Sequence, residues 1–115
     1  MYQSIILPHF KRQLKQHTKK YRHLKEAVID ILEHFEKRRH THIRHNVYKV
    51  RLHARDIQKG KSKSFRLLLL VIEVEGYIVP ITLYFKGDRQ DMSKKEINDH
   101  LEIIIFELRI QKLLK

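Results

Sequence analysis

Ser64 to Lys86, SFRLLLLVIEVEGYIVPITLYFK, is the stretch on which the fold turns. Phe65 to Val74 is a nearly continuous apolar run of strand length. Glu75-Gly76 supplies a turn, and Tyr77 to Lys86 returns as another strand, so the spacing predicts a β-hairpin. Both strands are apolar at most positions, which places them near the centre of a sheet with helices on one face. Pro80 has no N–H to give to a ladder. The returning strand is therefore expected to bulge, or to be locally unpaired, at that point.

Upstream, VYKVRLH (Val47 to His53) alternates cleanly. Tyr48, Val50 and Leu52 share one side; Lys49, Arg51 and His53 share the other. This is the pattern of a half-buried strand whose outer face is cationic. Between the two strands lies IQKGKSKS, in which Lys59, Lys61 and Lys63 lead up to Arg66. Gly60-Lys61-Ser62 invites a P-loop reading, which fails twice. A P-loop needs a glycine where Arg55 stands, and it needs a helix to follow, where this chain has a strand.

The chain has 115 residues, 42% of them hydrophobic, and a net charge of +12. That is enough for one compact domain over 1–115 with a real core. The absence of cysteine excludes disulfides and thiolate chemistry, and fits a reducing cytoplasm. No apolar run approaches a membrane span and no signal-peptide pattern stands at the start, so a soluble cytoplasmic protein is expected. Residues 1–36 carry +3, residues 37–66 carry +10 and residues 67–115 carry −1. Charge segregated this strongly repels itself unless a polyanion uses it.

Tyr2 to Leu7 reads as a short strand. Pro8 opens a helical region, a favoured first-turn position. Phe10, Leu14, Tyr21, Leu24, Val28, Ile31 and Phe35, with His17 filling the one gap, then recur in alternating steps of four and three, a helix face. One long helix and a hairpin broken near Thr18 to Arg22 both satisfy that spacing. KRRHTHIRH (Lys37 to His45) lacks apolar periodicity and reads as a basic mobile loop. Its three histidines have no carboxylate close by and three arginines among them, so a metal site is not expected. Gly87 to Met92 is a loop. Ser93 and Glu96 form a capping box that starts a helix reaching about Leu114. Ile97, Leu101, Ile104 and Leu108 make one apolar stripe. Ile103, Phe106 and Ile110 make a second, which points to a partner surface in preference to a sandwiched helix. The order is β-α(α)-β-β-β-α, an α+β domain.

Taken in order, the Tyr-Lys-x-Arg-Leu strand, the Gly-Lys-Ser loop leading to an aromatic-Arg and an apolar strand, the Tyr-x-Lys strand end and the Asp-x-Ser-x-x-Glu-Ile helix start resemble the RelE/ParE superfamily of bacterial toxins. Within that superfamily the motifs look most like those of the RelE- and HigB-like branch, whose members are mRNA endonucleases. FKRQLKQHTKKYRHLKEAV is similar to that family's helical hairpin. The resemblance implies a RelE-like fold: an N-terminal strand and helical hairpin, a twisted antiparallel sheet, and a C-terminal helix. It also implies a type II toxin that cleaves mRNA on the ribosome and is blocked by a cognate antitoxin. Lys63-Ser64 departs from the family loop, which carries two glycines there.

Metal-independent RNA cleavage uses the neighbouring 2′-hydroxyl as nucleophile. It needs a base, an acid for the leaving 5′-oxygen, and cations around the phosphorane. Lys61 is the candidate base or acid, since crowded lysines lose protons more easily. Arg66 is placed against the scissile phosphate. Lys86 holds phosphate, and Tyr84 stacks on a base or orients the hydroxyl. Arg51, with Lys49, His53, Lys59 and Lys63, binds the RNA backbone. No metal or small-molecule cofactor is expected, and no membrane partner. The alternatives are a ParE-like gyrase poison and a catalytically decayed RNA-binding member.

Overall fold

The computed structural model describes residues 1–53, 64–89 and 91–114. The chain runs β1 (Gln3–Ser4), α1 (Pro8–Thr18), α2 (Leu24–Glu33), a 3-10 turn (Lys37–Arg39), β2 (Thr41–Arg44), β3 (Val47–Leu52), β4 (Phe65–Ile72), β5 (Tyr77–Phe85) and α3 (Lys94–Ile110). Among the described residues this is an α+β domain with a five-stranded sheet in the order β1-β5-β4-β3-β2. The β1–β5 pair is parallel, and the other three are antiparallel.

The central hairpin forms, but β4 ends at Ile72 and the turn takes the four residues Glu73 to Gly76, where the sequence predicts a strand to Val74 and a turn at Glu75-Gly76. Gly76 closes the turn at φ 72°, a left-handed conformation that a side chain would strain. The bulge also stands where Pro80 requires it. Leu68 pairs with Thr82 and Leu69 with Pro80, leaving Ile81 as an extra residue in β5. The helical region is a hairpin, broken between Thr18 and Leu24.

Three expectations are corrected. First, helices cover both faces of the sheet. Phe10 of α1 and Leu24, Val28 and Leu32 of α2 pack with Val50, Leu52, Leu67 and Leu69 on one side. Ile97, Ile104 and Leu108 of α3 pack with Leu68, Leu70, Val79 and Ile81 on the other. A continuously apolar strand such as β4 buries both alternating sets, so it needs cover on both faces. Second, residues 37–45 are no loop. They form the 3-10 turn and β2, which pairs with β3. His42 stacks on Tyr48 at 4.8 Å between centroids and His40 on Phe35 at 5.2 Å. These ring contacts supply the packing that apolar periodicity would otherwise signal. Third, the first strand pairs over only two residues, and α3 ends at Ile110.

Ser93 Oγ accepts from the Glu96 N–H, and the Glu96 carboxylate accepts from the Ser93 N–H, so the capping box forms. Arg89 donates both arms of its guanidinium to Glu96, at 2.9 and 2.7 Å. That fork holds the Glu96 carboxyl down at about 2. The start of α3, and with it the end of the preceding loop, is thereby fixed against the sheet.

Candidate functional site

β3, β4 and β5 bring Arg51, Arg66 and Tyr84 into one cross-strand row, Arg51 opposite Arg66 and Arg66 opposite Tyr84. Lys49 stands two residues before Arg51, and Lys86 two after Tyr84, so both fall on the same face. A cleft of about 240 Å³ opens there, lined by Thr41, Lys49, Arg51, Arg66, Lys86 and Asp91. Among the described residues, four cations face one carboxylate in it. Like charges directly opposite on neighbouring strands destabilise a sheet. The Arg51–Arg66 pair therefore costs stability unless an anion lies between the two groups.

Arg66 is buried at 8% exposure, unlike Arg51, which is exposed. Its guanidinium donates to the Ser64 hydroxyl and lies 3.5 Å from the Ser64 carbonyl oxygen. The Lys86 N–H in turn donates to that carbonyl at 2.9 Å. Ser64 thus ties the start of β4 to the end of β5 and orients Arg66. The chain leaves and re-enters the sheet at the paired Leu52 and Phe65, one position beyond the Arg51–Arg66 row.

Asp91 is the carboxylate that sequence reasoning left out of the site. It accepts from Lys86 Nζ at 2.9 Å and from the Tyr84 hydroxyl at 3.1 Å, with Lys49 Nζ 3.6 Å away. The Lys86 hydrogen bond leads in holding its carboxyl down at about 2, helped by Tyr84 and Lys49. Tyr84 is pushed up to about 12, first by burial and then by Asp91. At neutral pH these two are a phenol and a carboxylate. Tyr84 is buried, and the Arg89 guanidinium lies 5.7 Å from its ring centroid. It supports Asp91 and offers no free face to a base.

Of the residues singled out from sequence, Arg51, Arg66, Lys86 and Lys49 come together around the cleft, with Tyr84 beneath Asp91. His53 goes elsewhere. It is exposed beyond the end of β3 and, with Arg51 and Leu52, lines a second hollow against Ala27, Asp30 and Ile31 of α2. Lys59, Lys61 and Lys63 lie outside the described residues. Thr41 joins the cleft from β2, the strand that the sequence reading took for a loop. A signal for Asp91 existed, since it opens the Asp-x-Ser-x-x-Glu helix start. Its role follows only from where the capping box sets that start.

No protein-family model matches the chain, and no curated protein matches it either. The RelE/ParE likeness rests on the ordered motifs quoted above.

Proposed function

We propose that this chain is a metal-independent endoribonuclease of the type II toxin kind, acting on mRNA at the ribosome and restrained by a cognate antitoxin. The observation that carries the reading is the opposed pair Arg51 and Arg66, with Lys49 and Lys86 beside it in one cleft. Four cations on a rigid sheet match the demand of a phosphorane, whose charge grows as the 2′-oxygen attacks phosphorus. The P–O5′ bond then breaks, leaving a 2′,3′-cyclic phosphate and a 5′-hydroxyl. Permanently charged Arg66, oriented by Ser64, sits best to stabilise that charge. Proton transfer falls to Lys61, as assigned from sequence.

One observation favours RNA binding without cleavage. Tyr84 and Asp91 titrate far from neutrality, so neither supplies acid–base catalysis at pH 7.

Induced expression with transcript-end mapping separates these readings. Wild type is expected to arrest growth and create new mRNA ends, and Arg66→Ala to do neither at equal abundance. Full arrest by Arg66→Ala removes the assignment. RNA bound but uncut by the purified wild type, on and off ribosomes, selects the binding-only reading. DNA breaks in arrested cells select the gyrase poison.

A further inference from the structure

The outer face of α3 carries Ile103, Phe106 and Ile110, exposed at 40%, 62% and 63%. On a helix of 3.6 residues per turn all three fall within one narrow stripe, away from buried Ile97, Ile104 and Leu108. Glu102 and Arg109 flank the stripe. Neither side chain has a hydrogen bond or ion pair with another described residue. They are seven residues apart, about 10.5 Å along the axis, too far to pair within one helix. Lys95 and Asp99, four apart on the same helix, do pair, at 3.0 Å.

We propose that this face pairs with itself, joining two copies of the chain by antiparallel packing of α3 about a two-fold axis at Phe106. The centres of the two seven-residue spacings lie half a residue to either side of Phe106. Glu102 and Arg109 are symmetric about the junction of Ile105 and Phe106. Ile103 and Ile110 are symmetric about the junction of Phe106 and Glu107. An axis at Phe106 therefore sets each Glu102 beside the second copy's Arg109, and each Ile103 beside its Ile110, in the isologous manner of a closed dimer. The arrangement also keeps cationic clefts apart. Each cleft lies at the Lys94 end of α3, about 18 Å along the axis from Phe106. Antiparallel copies hold the clefts at opposite ends, several Debye lengths apart at physiological salt. A parallel pairing places them side by side. One helix face is small for an interface, so the dimer is expected to be weak, with Kd on the order of 10–100 µM.

Sedimentation equilibrium of the full chain from about 5 to 500 µM tests this, with circular dichroism to confirm folding of each variant. Wild type is expected to dimerise and Phe106→Glu to stay monomeric. Glu102→Arg is expected to raise Kd about tenfold by setting like charges together at both ends. The double variant Glu102→Arg/Arg109→Glu is expected to return within about threefold of wild type, because its symmetric pairs are restored. A wild type monomeric throughout overturns the proposal and leaves the face for a different chain. A dimer that survives Phe106→Glu overturns it by locating the contact elsewhere. Charge variants without effect, or a double variant no better than the single, overturn the antiparallel register.

Discussion

Two halves of one sheet face differ in everything but backbone. Under α3, Leu68, Leu70, Val79 and Ile81 are buried against Ile97, Ile104 and Leu108. Just beyond the helix start, the same strands offer Lys49, Arg51, Arg66 and Lys86 around an open cleft. On β4 the change takes two residues, from Leu68 to Arg66, about 7 Å of strand. The helix cap decides where the change falls. Ser93 and Glu96 begin α3, and Arg89 anchors Glu96, so apolar cover stops there and cations become affordable to water. The lesson is that the site is a place where the core was left uncovered, built on the rigidity of the core beside it.

The covered half should break hardest. Ile104→Ala empties a fully buried position between α3 and the sheet and is expected to cost about 2–5 kcal/mol in urea unfolding. In the open half, Arg66→Ala is expected to cost under about 2 kcal/mol. Loss of the Ser64 hydrogen bond is offset by relief from Arg51. Its larger effect should be on RNA. Binding measured across a salt series is expected to lose one phosphate contact, lowering the log–log slope by about 0.7 and weakening binding uniformly across sequences. An unchanged slope would place the backbone path elsewhere.

Asp91→Asn sharpens the contrast from the other direction. Removing this carboxylate, the one that lines the cleft among the described residues, is expected to tighten RNA binding about twofold to fivefold, the scale of one exposed ion pair. Weaker binding would mean that Asp91 orders Lys86 and Lys49 more than it competes with phosphate.

The smallest expected effect is on pH dependence, and it belongs to the covered half. His9 Nε2 lies 2.8 Å from His100 Nδ1, joining α1 to α3. Burial lowers the pKa of both. For His9, His100 and Arg12 lower it further and Glu107 raises it. For His100, Glu96 and Asp99 raise it and Arg89 lowers it. The unfolded chain therefore takes up these protons first as pH falls. Stability is highest above about 6.5 and declines as pH drops from there through the folded values. Thermal melts are expected to show a lower Tm at pH 5.5 than at 7.5, with a flatter profile in His9→Gln/His100→Gln. Asp91 and Glu96, both held at about 2, act in a separate window. Their contribution is present above their unfolded values and is lost as pH falls toward 2.

Period-two alternation and turn residues made β3, β4 and β5 legible, because side-chain direction in a strand is local information. The capping box was legible for the same reason. The second helical layer was not, since an apolar run does not say what covers it. β2 was hidden because its side chains, among them His42 and Arg44, look like those of a solvated loop. His42 packs by stacking on Tyr48, and Arg44 by donating to Asn98 of α3. The cationic row was readable up to facing: Lys49, Arg51, Arg66 and Lys86 converge, as alternation and strand pairing allow. His53 stood one step past the end of β3, where alternation no longer governs direction. Asp91 was invisible as a site residue because its position depends on a helix start and a strand end meeting in space.

The surplus residue at Ile81 has a consequence for phase. Were β5 to pair without interruption from Tyr77, every residue beyond Pro80 would swap sides. Leu83 and Phe85 would then greet solvent, while Tyr84 and Lys86 were driven into oil. Excising Ile81 alone would leave those four where they are, because the sheet has one place fewer than the strand has residues. The proline that spoils the ladder thus marks the point at which the chain's inside-outside rhythm is reset, and Lys86 owes its outlook to that missed beat.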